Sequence, residues 1–523
     1  MSPRKENAIY TLPSSYWIES MTQKGYPTLQ NDMKVDIAII GGGISGISAA
    51  YLLSQQGIKV AVIEAREILQ STTGHTTAKI TSQHGLIYHK IINQLSKELA
   101  EQYAAANETA IHMIKKLAKE NQIECDYTPQ SAYIYTLQDK YIEKIQEEVK
   151  AAESLGIQAS YLDKIPLDYP VKAAIRFDGQ AQFHPRKFLI PLAEKIIKNG
   201  GQIYEHSRIT NLEEKDTLTL ITNQNKKIQA DKIIIASHYP CLNKSGFYFS
   251  KIYSERSYVI ALKAKQQYPG GMYITAEDPG RSLRNQKTKN GDLILISGEH
   301  HKTGQGEDTS LHYEKLIDFA NKLYTVEDIP YHWSTEDCMT LDNLPYVGQL
   351  TSKNPNIYVT TGFGKWGMTN SIASAILLKS LILDGKSPWE DVYSPTRKIS
   401  ASSIGTFISQ NSNVAKNFVE GKLSSKQKDI QLEIEEGRII DWEGQKIGVY
   451  KDRQGKLHIV DTTCTHMGCE LKWNSAEKTW DCPCHGSRFT YDGDILKGPA
   501  VDSISVQKDI DKIKDFLDKE GLL

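Results

Sequence analysis

The sequence feature that most constrains the fold of this chain is a glycine-rich turn between an apolar strand and a helix. The turn has the spacing Gly41-x-Gly43-x-x-Gly46, and an acidic residue, Glu64, ends the strand that follows the helix. The apolar patterns predict a strand at 35–40, a helix at 47–56 and a second strand at 59–63. Together these segments form a βαβ unit of the kind that binds dinucleotides.

Each residue of this turn suits a dinucleotide site. Gly41 permits the tight turn, Gly43 lets the backbone approach a pyrophosphate, and Gly46 lets the helix pack closely on the strand. The helix N-terminus offers free N–H groups and a partial positive charge to the phosphates. Glu64 is placed to accept hydrogen bonds from the ribose hydroxyls, and its charge would repel the 2′-phosphate of NADP. The alternative is a glycine turn in another α/β fold.

A second glycine-rich run lies late in the chain, at Gly362, Gly364 and Gly367. It follows a predicted strand at 356–361 and precedes a predicted helix at 370–383. No strand ending in an acid follows at the proper distance, so a second nucleotide site is not predicted. The dipole of such a helix can instead stabilise negative charge on the pyrimidine edge of a reduced flavin. The alternative is a strand-to-helix turn with no further purpose.

These two motifs, with the loop at 71–78 and the run from Trp333 to Gly348, resemble the D-amino-acid-oxidase-like (glycine/sarcosine oxidase) family of FAD-dependent oxidoreductases. The resemblance covers residues 33–398. It implies FAD as a cofactor and an α/β Rossmann-like FAD-binding domain with an interleaved α+β antiparallel-sheet substrate domain. The family pattern also implies which other residues lie at the flavin: Thr76, Thr77, Gly362, Gly364, Gly367 and Met368.

His75 lies in the same loop and has two interpretations. Related dimethylglycine- and sarcosine-dehydrogenase-like proteins look similar in this loop and attach their flavin covalently through a histidine there. The resemblance therefore suggests a covalent link to His75, and the alternative is a loop histidine that hydrogen-bonds near bound flavin.

The resemblance implies no dedicated catalytic base, because in this family the flavin and a positioning pocket do most of the work. Lys365, beside the predicted helix N-terminus, is a candidate for stabilising an anionic reduced flavin, or else a surface lysine. Four further side chains are pocket candidates, namely Arg256, Tyr258, Arg284 and His300. An arginine would suit a substrate carboxylate, although most arginines at such positions are solvated or structural.

The C-terminal part of the chain carries two boxes of cysteine and histidine. They read Cys464-Thr465-His466-Met467-Gly468-Cys469 and Cys482-Pro483-Cys484-His485-Gly486-Ser487. The whole chain has only seven cysteines, so a disulfide scaffold is excluded and the cluster indicates a metal. Paired cysteine and histidine on short loops can bind tetrahedral zinc, but two extra cysteines and a glycine after each box are not needed for zinc.

Both boxes resemble those of Rieske [2Fe–2S] proteins, over residues 430–512. The resemblance implies that the thiolates of Cys464 and Cys482 bind one iron and the imidazoles of His466 and His485 the other. It also implies a disulfide between Cys469 and Cys484, a hydroxyl donated by Ser487 to a cluster sulfur, and a covering loop at 498–500.

One residue departs from the respiratory Rieske pattern. Respiratory members usually have tyrosine where this chain has Phe489, so one hydrogen bond to a ligand sulfur is missing. We therefore expect a reduction potential below that of respiratory Rieske centres.

The length of the chain indicates several domains, and its net charge indicates which kinds of partner are expected. At 523 residues the chain exceeds one ordinary core. We predict an N-terminal arm at 1–32, the oxidoreductase at 33–398, a linker that can carry a helix at 399–429, a small all-β domain at 430–512 and a tail at 513–523. The net charge of −1 gives no support to a nucleic-acid partner. No apolar run reaches the roughly 18 residues of a membrane span, so a cytoplasmic protein is expected.

The two cofactors together predict the reaction. A flavin accepts two electrons as a hydride, whereas a Rieske centre accepts one. We predict a dehydrogenase whose electrons leave through the cluster to an acceptor protein. The family resemblance implies a small amine or amino acid as the substrate, which gives hydride to FAD and leaves an imine that water hydrolyses. One alternative is a reductase in which a donor protein feeds the cluster and the cluster feeds FAD. Another is a non-enzymatic redox sensor or carrier.

Overall fold

A computed structural model describes residues 12–242, 245–306, 308–398, 400–423, 432–506 and 510–519 of the chain. The strands of the first 361 residues are β1 (Met33–Ile40), β2 (Val60–Ile63), β3 (Lys79–Ile80), β4 (Thr128–Thr136), β5 (Ala159–Leu162), β6 (Ala173–Gln182), β7 (Gln202–Tyr204), β8 (Ile209–Glu214), β9 (Leu218–Thr222), β10 (Lys227–Ile235), β11 (Ile252–Ala264), β12 (Met272–Thr275), β13 (Arg281–Thr288), β14 (Gly291–Lys302), β15 (Val326–Thr340), β16 (Tyr346–Gln349) and β17 (Ile357–Thr361). The later strands are β18 (Gly437–Trp442), β19 (Gln445–Lys451), β20 (Leu457–Asp461), β21 (Lys472–Asn474), β22 (Thr479–Asp481), β23 (Arg488–Thr490) and β24 (Ile495–Lys497).

The α-helices are α1 (Tyr16–Glu19), α2 (Ile44–Ser54), α3 (Tyr88–Gln94), α4 (Lys97–Glu120), α5 (Ile142–Ser154), α6 (Pro185–Lys198), α7 (Tyr248–Lys251), α8 (Ser310–Leu323), α9 (Gly367–Asp384), α10 (Glu390–Tyr393), α11 (Ala401–Leu423) and α12 (Ile510–Lys519). Short 3₁₀ helices lie at Thr72–His75 and Asp139–Tyr141. None of these described helices has the length and apolar character that crossing a bilayer requires.

The predicted βαβ unit forms the centre of an eight-stranded sheet with the order β16-β17-β10-β1-β2-β7, to which β9 and β8 are attached at β10. β1 pairs in parallel with β2 and β10, and its last four residues are buried because helices or sheet neighbours cover both faces. Helix α2 packs against α6 and α9. The Rossmann-like part of the predicted fold is therefore confirmed.

The turn between β1 and α2 closes only because it lacks side chains. A Cβ built on Gly46 would lie 1.9 Å from the carbonyl oxygen of Gly41, and one on Gly41 would lie 2.6 Å from the carbonyl oxygen of Ala236. Helix α2 begins at Ile44, three residues before the predicted start, because the low helix propensity of Gly46 hid its first turn from the sequence pattern.

The second sheet has nine strands in the order β15-β11-β14-β13-β12-β4-β6-β3, with β5 paired to β6. Its strands are antiparallel apart from the parallel pair β12 and β4. They come from two stretches of chain, 79–182 and 252–340, that are inserted between strands of the first sheet. The predicted interleaved substrate domain is thus confirmed, and one hydrophobic core runs from α2 and α9 into this second sheet.

The C-terminal domain consists of two small antiparallel sheets, β18-β19-β20 and β21-β22-β23-β24. One hydrophobic core surrounds the cysteines and includes Trp480 and Phe489, and a second core packs beneath helix α12. The predicted all-β C-terminal domain is confirmed.

Most of the predicted linker is a single helix, α11, that contacts both domains. Asn411 donates to the carbonyl oxygen of Ser250 (3.1 Å) in the first domain, and Lys422 pairs with Glu470 (2.6 Å) in the second. The proposed domain boundaries themselves stay predictions. Parts of the arm (1–11), the linker (399 and 424–429) and the tail (520–523) lie outside the described residues.

We predict that Gly46→Ala destabilises the nucleotide-binding half of the fold by about 3 kcal/mol, because the new Cβ meets backbone that has no room to move. The measurement is the free energy of unfolding, followed together with bound flavin per chain. Gly405→Ala is the matched control, because it lies in α11 outside the nucleotide-binding half and a Cβ there meets nothing within 4 Å. Equal stability of the two variants would contradict the prediction.

Candidate functional site

The glycine-rich turn is braced by Glu64. The amide of Gly42 donates to Oε2 of Glu64 (2.7 Å), and the amide of Arg66 donates to Oε1 (2.9 Å). Burial raises the pKa of Glu64, while these hydrogen bonds work in the opposite direction. Since each carboxylate oxygen has two lone pairs, Glu64 keeps the capacity to accept ribose hydroxyls as predicted.

Two polar side chains that the sequence analysis did not single out complete this turn. Thr73 accepts a hydrogen bond at Oγ1 from the amide of Ile44 (3.0 Å) and so fastens the loop at 71–78 to the start of α2. The hydroxyl of Ser45, in the first turn of α2, is buried and has no partner within the described residues. A buried hydroxyl without a partner is costly, and a bound diphosphate would relieve that cost. The turn therefore fits FAD.

The predicted flavin loop, residues 71–78, is held by tryptophans from distant parts of the chain. The indole of Trp17, in the N-terminal arm, donates to the carbonyl oxygen of Thr76 (2.6 Å), and that of Trp333 donates to the carbonyl oxygen of His75 (2.8 Å). Nδ1 of His75 contacts the carbonyl oxygen of Ser71 (2.8 Å), and burial lowers the pKa of this histidine. Nothing in the local sequence pattern signalled the contribution of Trp17.

The second glycine run forms the predicted strand-to-helix turn. Gly362 and Gly364 have positive φ angles of 74° and 55°, and the amide of Gly364 donates to the carbonyl oxygen of Cys338 (3.0 Å). Helix α9 begins at Gly367, and its second residue, Met368, is buried. This places a helix N-terminus at the end of β17, which suits a partial positive charge beside a flavin.

Each of the candidate catalytic side chains has another partner within the protein. Lys365 pairs with Glu255 (3.0 Å), and His300 pairs with the exposed Asp278 (3.3 Å). Tyr258 hydrogen-bonds His301 (3.0 Å). Arg284 donates to the backbone oxygens of Thr77, Ala78 and Asn285. These contacts match the structural alternative for this arginine, because they hold the backbone of the flavin loop.

Arg256 also matches the structural alternative, because it is paired with protein carboxylates. Its buried guanidinium belongs to a group of six charged side chains that we call the interdomain ion cluster. The members are Arg256 and Glu336 of the first domain and Glu477, Asp481, Arg488 and Lys497 of the C-terminal domain. Arg256 cannot bind a substrate carboxylate while protein carboxylates surround it.

The interdomain ion cluster is buried and balanced in charge. Three cations face three carboxylates, and no member side chain is more than 13% exposed. Arg256 lies 3.1 Å from Glu477, which also contacts Arg488. Burial opposes ionisation of Glu477, but the two guanidinium groups hold its pKa well below the usual range. All six groups are therefore paired in the described arrangement.

Lys497 connects the interdomain ion cluster with the flavin loop. Its Nζ lies 3.5 Å from Oε1 of Glu336 and 3.2 Å from the backbone oxygen of the same residue. It also lies 3.4 Å from the hydroxyl of Thr72, which itself donates to the backbone oxygen of Glu336 (3.3 Å). One lysine of the C-terminal domain thus touches the loop predicted to border the flavin.

The two cysteine and histidine boxes meet at one end of the C-terminal domain. Cys469 and Cys484 form a disulfide, the pairing that the resemblance implied. Cys464 and Cys482 are buried free thiols, and a hydrogen bond from Cys482 lowers the pKa of Cys464 to about 7.

The two predicted histidine ligands face the same place. The rings of His466 and His485 lie 4.9 Å apart. Burial lowers the pKa of His485 to about 3, and its Nδ1 is buried with no hydrogen-bond partner in the described part of the chain. A neutral imidazole with an unused buried nitrogen is what a metal ligand requires. Together with the two free thiols, these residues fit a cluster bound by two cysteines and two histidines.

A different trio of sulfurs also lies close together. The Sγ atoms of Cys469, Cys482 and Cys484 are within 4.8 Å of one another. Two of them are bonded to each other and offer no thiolate, so this trio is not a competing metal site.

Ser487 and Phe489 lie close to these ligands. Ser487 hydrogen-bonds Cys464, and its Oγ accepts from the amide of Ala500 (3.0 Å) in the predicted covering loop. Phe489 is fully buried in the core around the cysteines and has no hydroxyl to offer.

Fold and sites together define a flavin-dependent oxidoreductase joined to an iron–sulfur domain. The family model for FAD dependent oxidoreductases matches residues 36–381, and the model for the Rieske [2Fe-2S] domain matches residues 425–511. The chain belongs to the FAD dependent oxidoreductase family and carries a C-terminal Rieske domain. Its cofactors are FAD and a [2Fe–2S] cluster.

Known proteins resemble the chain to different extents. The Bacillus subtilis (strain 168) protein YhfW, whose name describes a Rieske 2Fe-2S iron-sulfur protein, is 41% identical over 95% of this chain and 98% of its own length. Gamma-glutamylputrescine oxidoreductase of Escherichia coli (strain K12) is 24% identical over 71% of this chain and 88% of its own. The crystal structure of glycine oxidase from Geobacillus kaustophilus has a TM-score of 0.59 at 17% identity, covering 70% of this chain and 99% of that one.

We predict that Phe489→Tyr raises the reduction potential of the cluster by roughly 40 mV, the equivalent of one hydrogen bond of about 1 kcal/mol to a ligand sulfur. Ser487→Ala removes a hydroxyl and is expected to lower the potential. Redox titration followed by electron paramagnetic resonance measures both. A Phe489→Tyr potential equal to or below that of the wild type contradicts the prediction.

For the flavin link, the covalent interpretation predicts that flavin stays on the chain after denaturation and that His75→Ala releases it. Nδ1 of His75 is used by Ser71, so Nε2 is the nitrogen available for a link. Acid precipitation followed by absorption of pellet and supernatant measures the distribution. Release of all flavin from the denatured wild type would contradict the covalent link and support the hydrogen-bonding interpretation of His75.

Proposed function

We propose that this chain is a dehydrogenase that oxidises a small amine or amino acid at FAD and passes the electrons singly to an external carrier protein through its Rieske cluster. The observation that carries the proposal is the buried contact between the two halves. Lys497, on the C-terminal domain, reaches Thr72 in the flavin loop and Glu336 between them. A shared, water-excluded interface favours electron exchange within one chain over two independent activities.

When bound, FAD supplies a two-electron hydride acceptor and the cluster supplies a one-electron carrier. The residues of the chain hold and shield these groups. The turn at Gly41 and the amides of α2 would bind the diphosphate, and Glu64 would bind the ribose. The start of α9 would face the flavin, with the ammonium of Lys365 shared with Glu255. The thiols of Cys464 and Cys482 and the imidazoles of His466 and His485 would hold the iron.

The substrate class rests on the relatives. Gamma-glutamylputrescine oxidoreductase and glycine oxidase are named for an amine and an amino acid, and both cover most of the first domain. Arg256 and Arg284 are engaged elsewhere, so neither supports a requirement for a substrate carboxylate. A small amine is therefore as suitable as an amino acid.

The direction of electron flow is tested by anaerobic mixing of the holoenzyme with a panel of amines and amino acids. We expect one class to bleach the flavin absorbance and then produce the paramagnetic signal of the reduced cluster. The control is Cys464→Ser with Cys482→Ser, which lacks the cluster and should bleach without the signal.

Two other results would contradict this direction. Bleaching that occurs only with reduced ferredoxin would indicate a reductase, in which the cluster feeds the flavin. No reaction with any amine or with ferredoxin would indicate a sensor or carrier.

A further inference from the structure

Helix α11 carries an apolar stripe on its exposed side. Five of its side chains are large, apolar and 37–59% exposed, namely Ile404, Phe407, Ile408, Phe418 and Val419. With 3.6 residues per turn, these positions and the exposed Ala415 fall within a sector of about 120°. Single exposed apolar residues are normal on a protein surface, whereas a continuous patch of this kind indicates an interface.

The polar face of the same helix is turned toward the protein. Gln305 of the first domain donates to Oδ1 of Asn413 (2.7 Å). On the side of the second domain, a Cβ on Gly421 would lie 2.9 Å from the Cβ of Glu470. A surface helix usually packs its apolar face on the core and leaves its polar face in water. Helix α11 has the reverse arrangement, so its apolar stripe faces solvent in the described structure.

The apolar stripe is complementary to itself when the helix is reversed. Ile404 and Val419 lie equally far from a point between residues 411 and 412, and so do Ile408 and Ala415. In an antiparallel pair of α11 helices, Ile404 would therefore face Val419 of a second copy, and Ile408 would face Ala415. A two-fold symmetric interface requires this kind of match between a surface and itself.

The exposed apolar area is close to what a stable dimer needs. Phe407 and Phe418 flank the stripe on the same side. Phe247 adds a third ring, because it precedes α7, which contacts α11, and is 65% exposed. Together these side chains offer roughly 500–600 Å² of apolar surface per copy, and a standard interface takes about 800 Å² from each partner. Exposed polar residues at the rim, such as Ser409 and Ser412, would supply the rest.

The charges of α11 favour a protein over a membrane as the occupant of the stripe. Helices that lie on membranes are rich in lysine and arginine along their polar face. Helix α11 has two lysines and one glutamate among its 23 residues. Lys416 pairs with Glu420 (3.7 Å) and Lys422 with Glu470 (2.6 Å). The stripe itself carries no charge, so a second copy can meet it without repulsion between like charges.

We propose that α11 is the interface of a two-fold symmetric homodimer, in which the apolar stripe of each chain packs antiparallel against that of a second copy. The pairs Ile404 with Val419 and Ile408 with Ala415 would then form the buried centre of the interface. Each copy would keep its own flavin site and its own cluster. The inference goes beyond the proposed function and needs neither a substrate nor electron transfer.

The test is sedimentation velocity of the holoprotein over a range of concentrations. We expect the wild type to have the mass of two chains, twice 58.8 kDa. Ile408→Glu should raise the dissociation constant about a hundredfold, because the dimer would bury two carboxylates against apolar side chains. Ile197→Glu is the matched control, since Ile197 is 43% exposed on a different helix, α6, and should leave the mass unchanged. Absorbance of both cofactors and the free energy of unfolding check that each variant is folded.

Disulfide cross-linking tests the direction of the pairing. Ile408→Cys and Ala415→Cys are prepared separately and treated with oxidised glutathione, alone and after mixing. A disulfide requires Cα atoms within about 7 Å of each other, and the antiparallel pair brings position 408 of one chain beside position 415 of the other. Linked dimers should therefore form in the mixture, above the level of the wild type and of either variant alone. Efficient linkage in unmixed Ile408→Cys would contradict the antiparallel arrangement.

Three other results would overturn the dimer. The first is the mass of a single chain for the wild type at every concentration. The second is an equal dissociation constant for the wild type and Ile408→Glu. The third is a monomeric wild type that sediments with vesicles of phosphatidylcholine and phosphatidylglycerol while Ile408→Glu does not, which would identify the stripe as membrane-binding. Failure of the proposed function leaves all these readings unchanged, because no substrate or electron carrier is present in them.

Discussion

The arrangement of both sites depends on the interdomain ion cluster. Each of its charges would be costly to bury alone, and pairs within and between the domains offset that cost. The contacts between the domains are the pairs of Arg256 with Glu477 and Asp481 and the pair of Lys497 with Glu336, so each domain supplies cations and carboxylates to the other. The position of the ligand loops relative to the flavin loop therefore follows from electrostatic pairing as well as from shape.

The interdomain ion cluster also explains why the sequence was informative about the cofactors and uninformative about the substrate pocket. The glycine turn and the cysteine and histidine boxes are local patterns, because each needs particular residues at fixed spacing within about 25 residues or two short loops. Arg256 was considered as a substrate contact because its partners Glu477 and Asp481 lie more than 200 positions away in the chain. Pairing between distant segments leaves no signature in either segment.

Element types were predicted better than element ends. The strand predicted at 356–361 is β17 (Ile357–Thr361), whereas the helix predicted at 370–383 begins at Gly367, because Gly367 and Thr369 extend it without being apolar. Ser45 and Thr73 escaped notice for a related reason. Their importance lies in hydroxyls that point at the glycine turn, and a serine or threonine beside a glycine motif is common without such a purpose.

In the proposed relay, helix α11 has a consequence for the rate of electron exchange between the two halves. It is fastened to the first domain at Ser250 and to the second at Glu470, so it acts as a strut and leaves little slack for the iron–sulfur domain to swing. The separation between the two centres is then a fixed property of the folded chain. If the proposed relay operates, solvent viscosity slows only the diffusional encounter with an outside carrier and does not change electron transfer inside the chain.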